Sequence, residues 1–199
     1  MKKTLCLTAL VLALTISPAL PQEKAGQTPP RMKPALLVID IQNAYLPMVP
    51  DREKSNALEL INASIALFRL YGFPVIRIYN TDPQGGPPPG SQEFEFPESV
   101  AVKPDDPKII KNYASAFKKT DLDRVLHSQG SNTLFLCGLS AVGCVLATYL
   151  EALDSDDYRP FLVKDALMSH NSAYTKFVEE AFEALSYRAM KAMLENAQK

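Results

Sequence analysis

The sequence predicts a three-layer, doubly wound α/β fold of Rossmann-like type, with a mostly parallel sheet and helices on both of its faces. Three observations carry that reading. Apolar runs of strand length alternate with segments of helical periodicity along most of the chain, the pattern of a parallel sheet assembled from strand–helix–strand units. The run ALLVID is apolar without alternation, as a central strand buried on both faces is, and the short apolar run LFLC, ending in Gly138, reads as a further strand before a tight turn. Three reactive side chains, Asp40, Lys111 and Cys144, fall at the carboxyl ends of predicted strands or just after them, where open α/β sheets carry their sites.

The 199 residues give room for one domain with a sizeable core, not two full ones. The 21 basic residues nearly balance 22 acidic ones, and there is no long basic run, so no nucleic-acid partner is suggested. MKK followed by TLCLTALVLALTI, with Ser17, Pro18 and Ala19 beyond, has the charged start, short apolar run and small residues of a secretory signal. The expectation is a signal peptide over residues 1–19 and a bacterial periplasmic or secreted protein with no membrane attachment after cleavage. An uncleaved anchor is the rival reading, but the apolar run is shorter than the roughly 20 residues that span a bilayer. Cys6 precedes most of that run, unlike a lipoprotein cysteine, and leaves with the signal. Residues 20–32 are polar and proline-containing, a flexible lead-in. The domain is then 33–199.

The elements follow in order. ALLVID, Ala35 to Asp40, reads as a central strand with Asp40 at its carboxyl end. A helix is predicted from about Glu53 to Tyr71 on the spacing of Leu58, Ile61, Ile65 and Phe68, closed by Gly72. Pro74 to Asn80 is the second strand, and the Gly- and Pro-rich stretch from Thr81 to Ser99 is a long loop. That loop is either a lid or pocket wall, with Phe94 and Phe96 as lining, or a solvated surface loop. Pro107 to Lys111 is a short strand, and Thr120 caps a helix that ends at Gly130. Leu134 to Cys137 forms a strand, Gly138 to Gly143 a tight turn, and a helix starts near Cys144 and runs to about Leu153. Pro160 to Ala166 is another strand, followed by a helix from about Thr175 to Leu185. YRAMKAML closes the chain as a last strand and short tail.

A thiol at the start of a helix meets unpaired N–H groups and the positive end of the macrodipole, so the Cys144 pKa is expected to fall. On the turn alone, Cys144 is a nucleophile or a small buried hydrophobe. A Cys137–Cys144 disulfide is the structural rival, disfavoured because the two lie on opposite sides of a tight turn. If the strand ends gather on one edge, thiol, carboxylate and amine meet, a set suited to acyl transfer. Cys144 then attacks a carbonyl, Asp40 moves the proton, and Lys111 balances charge.

Three stretches, LLVIDIQNAYL around Asp40, KNYASAFKKTDLD around Lys111 and LFLCGLSAVGCVLAT around Cys144, stand in the order and at the separations of the isochorismatase-like cysteine hydrolases, which include nicotinamidases and N-carbamoyl amide hydrolases. The chain resembles that family from about Lys33 onward. The resemblance implies the isochorismatase-like fold, Asp40 as general acid/base, Lys111 as catalytic lysine and Cys144 as nucleophile. It also implies a cis peptide between Leu139 and Ser140, and an oxyanion hole from the N–H groups of Ser140 and Cys144. Family nicotinamidases carry an aspartate and two histidines as metal ligands in the loop after the second strand; here that loop has Asp82 and no histidine. His127 reads as a surface residue and His170 as a neighbour of the site edge. No metal and no cofactor are expected, and nicotinamidase activity is disfavoured.

Tyr45, Tyr113 and Phe117 stand beside the catalytic positions as candidate substrate contacts together with His170, with Phe117 as core the alternative. The presence of Cys144 argues against the vinyl-ether chemistry of true isochorismatases and for hydrolysis of an amide-type C–N bond in a small molecule. The rivals are a catalytically silent binding protein of the same fold, an isochorismatase-type ether hydrolase, and a redox protein using both thiols. A homo-oligomer is expected from the resemblance.

Overall fold

The computed structural model describes residues 31–83 and 85–198. The predicted signal and most of the lead-in, residues 1–30, lie outside the described residues. Five strands, β1 (Pro34–Ile39), β2 (Val75–Asn80), β3 (Lys108–Lys111), β4 (Thr133–Leu139) and β5 (Arg159–Met168), form one sheet in the order β3-β2-β1-β4-β5. Every pairing is parallel. β1 and β4 are buried at every position, which is why their sequences show no alternation.

Helices cover both faces. On one side α1 (Asp51–Leu70) buries Ala57, Ile61, Ile65 and Phe68, spaced by three and four residues, and packs beside α5 (Tyr187–Ala197). α1 ends with Gly72 at φ 69° and Phe73 N donating to Phe68 O at 2.9 Å, the left-handed closure that a glycine makes easy. On the other side α2 (Leu122–Ser128), α3 (Leu146–Leu153) and α4 (Ser172–Ala181) contribute Leu122, Leu126, Ala152 and Val178 to a second core. The result is the three-layer parallel α/β architecture expected from the sequence.

Two expectations are corrected here. YRAMKAML is the helix α5, not a strand. Met190, Leu194 and Ala197 bury one face at helical spacing, and the Ser186 hydroxyl caps the Ala189 N–H. Phe94 and Phe96 do not line a pocket. They are 0% and 8% exposed in the core beside α1 and stack on Tyr79 with ring centroids 5.1 and 4.3 Å apart. The loop after β2 is therefore pinned to the domain by two aromatic anchors.

The chain moves outward from β1 through β2 to β3, then returns to the other side of β1 for β4 and β5. The strand order thus reverses between β1 and β4, and the carboxyl ends of those strands flank the crevice such a reversal creates.

Candidate active site

Four side chains meet at that crevice, one each from the ends of four adjacent strands. Asp40 follows β1, Asn80 ends β2, Lys111 ends β3, and Cys144 lies in the turn after β4. Lys111 is the hub. Its Nζ donates to Asp40 Oδ2 at 2.7 Å, to Cys144 Sγ at 3.1 Å and to Asn80 Oδ1 at 3.2 Å. These contacts match the three N–H bonds of an ammonium. The Asp40 and Lys111 side chains are 3% and 0% exposed.

The backbone around these residues is built for close approach. Asp40 sits at φ 52°, and its N–H donates to Ile78 O at 2.9 Å. Gly138, at φ 122°, lets β4 press against β1: a Cβ there would fall 2.1 Å from Ile39 O. The Leu139–Ser140 peptide is cis. Beyond it Ala141–Val145 forms one wide helical turn, kinked at Gly143, with Ser140 O accepting from the N–H groups of Gly143 and Val145. Thr148 Oγ1 donates to Cys144 O at 2.7 Å and accepts from Ala116 N at 3.0 Å, tying the cysteine turn to the segment after β3.

The electrostatics correct one expectation. Cys144 lies inside the kinked turn, ahead of α3, and its thiol is pushed up to about 12. Burial is the main cause, the Asp40 charge adds to it, and Lys111 opposes it. Burial and the Asp40 charge favour the neutral thiol over the thiolate. Burial also raises the Asp40 pKa, against the pull of Lys111 and the thiol. Burial works against the Lys111 ammonium, but Asp40 and Cys144 outweigh it and hold its pKa above the ordinary lysine value. Asp40 Oδ1 is buried and has no hydrogen-bond partner among the described residues.

Cys137 and Cys144 are both free. Cys137 belongs to the core beside α1, and Cys144 packs against the core on the opposite face. The sheet stands between them, so a bridge is excluded by geometry.

A cavity of about 170 Å³ opens over the cluster, bounded by Tyr45, Met48, Leu139, Ser140 and His170 together with Asp40, Asn80 and Cys144. Of the predicted substrate contacts, Tyr45 and His170 line it. Tyr113 and Phe117 are not among its walls. Tyr113 lies under the Lys118 and Lys119 ammonium groups, and Phe117 packs on Tyr158 at the second core. His127 is exposed and pairs with Asp123. A larger open groove of about 740 Å³ runs between α1 and α4, but it holds no cysteine.

Asn80 and Gln42 were missed by sequence reasoning. Gln42 clamps the Asn80 backbone, donating to its carbonyl at 3.0 Å and accepting its N–H at 2.7 Å. The available signal was the polar residue ending VIRIYN, on the same strand edge as Asp40 and Lys111.

Fold and site define a doubly wound α/β protein with a half-buried thiol beside a buried ammonium and carboxylate at its switch point. The chain belongs to the isochorismatase family of hydrolases: the model of that family, Isochorismatase domain, matches residues 34–196. It is 32% identical over 133 residues to YddQ, an isochorismatase family protein of Bacillus subtilis, covering 62% of this chain and 71% of that one. Maleamate amidohydrolase of Pseudomonas putida is 34% identical over 83 residues, 42% of this chain and 38% of that protein. Among solved structures, N-carbamoylsarcosine amidase from Thermoplasma acidophilum superposes with a TM-score of 0.65 at 25% identity, covering 78% of this chain and 95% of that one.

Proposed function

We propose that this protein is a cysteine hydrolase that cleaves the C–N bond of a small amide through a thioester on Cys144. One observation carries the reading: a single buried ammonium donates to both a carboxylate oxygen, at 2.7 Å, and a thiol sulfur, at 3.1 Å, on Asp40 and Cys144, two residues that line a cavity. The amidases among the similar proteins support the reaction type.

The neutral thiol shapes the chemistry. Sulfur attacks the substrate carbonyl carbon as its proton passes to Asp40, whose basicity burial has raised and whose Oδ1 has no hydrogen-bond partner among the described residues. Lys111 stabilises the charge that develops on sulfur. The N–H groups of Ser140 and Cys144 receive the oxyanion of the tetrahedral intermediate. Asp40 returns the proton to the leaving nitrogen, the C–N bond breaks, and the acyl group remains on Cys144. Water, activated by Asp40, then hydrolyses the thioester.

The test is ammonia release from a panel of small primary amides by the wild type, Cys144→Ala and Asp40→Asn, with circular dichroism confirming the fold. Both variants are expected to lose turnover. Continued hydrolysis by Cys144→Ala refutes the mechanism. The raised thiol pKa favours a second reading, a binding protein of this fold without turnover; ligand protection of Cys144 from alkylation, with no ammonia released by any amide, would select it. Export and homo-oligomerisation belong to the same proposal. Leu150, Leu153 and Phe177, 41%, 52% and 61% exposed, are apolar surface that an assembly would cover, and light scattering on the mature protein measures the mass.

A further inference from the structure

Donor and acceptor counting around Asn80 fixes which way one wall of the cavity is polarised. The Lys111 ammonium has donors and no acceptor, so the Asn80 carboxamide must turn its oxygen toward it, and the observed contact is Oδ1 at 3.2 Å. With the oxygen committed, the amide nitrogen faces the other way and donates to the Tyr45 hydroxyl oxygen at 3.0 Å. The backbone of Asn80 is held at both its N–H and its carbonyl by Gln42, so the side chain starts from a fixed point. Tyr45 therefore has an acceptor lone pair occupied, and its O–H proton donates to no group among the described residues. Tyr45 lines the cavity.

We propose that Tyr45 is a specificity-determining hydrogen-bond donor to substrate, oriented by Lys111 through Asn80. The preferred substrates are accordingly small amides that carry a second hydrogen-bond acceptor, such as a carboxylate or carbonyl, beside the scissile amide. This rests on the hydrolase reading above and narrows it. Tyr45 supplies the donor, and Asn80 is a positioning residue that sets its direction. A cavity of about 170 Å³ limits such a substrate to a few carbon atoms between the two groups.

The experiment uses a matched pair, succinamate and 4-methylpentanamide, in which an isopropyl group fills the volume of the carboxylate without accepting a hydrogen bond. Ammonia release gives kcat/KM for each, and protection of Cys144 from iodoacetamide reports binding where no turnover occurs. The wild type is expected to prefer succinamate by about 10- to 100-fold, the range for one hydrogen bond to a charged group. Tyr45→Phe should bring the ratio close to one. Asn80→Asp is the diagnostic variant: a carboxylate at that position accepts from Tyr45, turns its proton away from the cavity and removes the preference although Tyr45 is still present. A residue that only supported the fold would lower both rates and leave the ratio unchanged.

Equal use of both amides by the wild type, or a preference that survives both variants, overturns the proposal and leaves the hydrolase reading standing. Selective protection by succinamate without ammonia release from any amide upholds the Tyr45 assignment and refutes the hydrolase reading. Neither turnover nor protection with either amide overturns the proposal.

Discussion

Replacing Lys111 by methionine keeps most of the side-chain volume and removes one buried charge. The ammonium it deletes contacts Asp40, Asn80 and Cys144, and the Asp40 carboxylate left behind is nearly inaccessible to water. Breaking a buried pair by removing one partner costs about 3–5 kcal/mol when the other charge is retained. The carboxyl group can escape that cost by taking up a proton. Burial already lifts its folded-state pKa above the ordinary value, and Lys111 is the main influence that pulls it down. Without Lys111 the folded pKa rises further. A carboxyl whose folded pKa exceeds its unfolded one contributes stability below the unfolded pKa and loses it as pH rises through the folded pKa. The deficit of Lys111→Met relative to wild type should therefore be small near pH 4 and grow with pH at up to about 1.4 kcal/mol per unit. It levels off once the ionised carboxylate is no longer avoidable. Urea denaturation of both proteins between about pH 4 and 8 measures this. A deficit that is the same at every pH would show that Lys111 stabilises the site by packing, and the electrostatic account of the cluster would be wrong.

Other predictions follow from single observations. Phe94→Ala removes a fully buried ring stacked on Tyr79 and should cost about 3–5 kcal/mol, read by denaturant melts; a loss under about 1 kcal/mol would mean the loop is not anchored there. Gly138→Ala places a methyl group 2.1 Å from Ile39 O at a φ of 122°, so the variant should lose about 3 kcal/mol or more or fail to accumulate as folded protein. With the Cys144 thiol pushed up to about 12, its alkylation by iodoacetamide should climb steadily across the neutral and mildly alkaline range. A plateau near the free-cysteine value of about 8.5 would contradict this. Asp40→Asn removes a charge that raises that pKa, so the variant should alkylate faster at a given pH even as it loses turnover.

Much of the fold could be read because β1 and β4 are buried on both faces and their sequences are accordingly unbroken apolar runs. Asp40, Lys111 and Cys144 were legible for a related reason: parallel topology sends every strand's carboxyl end to one edge, so reactive side chains there are neighbours before any geometry is known. What could not be read depends on contacts distant in sequence. YRAMKAML is short enough to suit either a strand or a helix, and packing beside α1 decides for the helix. Phe94 and Phe96 looked like loop residues free to line a pocket until Tyr79 was placed beneath them. The thiol pKa failed in direction because the expected helix start omitted both the burial of Cys144 and the facing carboxylate of Asp40. Asn80 went unnoticed because an asparagine ending a strand has no chemistry of its own; its role comes from the lysine on one side and the tyrosine on the other.

The central claim is a covalent thioester on Cys144. Its most direct test is acid quenching of the protein during turnover of an amide found in the screen, followed by intact mass and peptide mapping. The account predicts an added acyl mass on the peptide carrying Cys144, absent in Cys144→Ala and removed by hydroxylamine. Steady turnover with no adduct at any quench time, together with activity retained in Cys144→Ala, would contradict it.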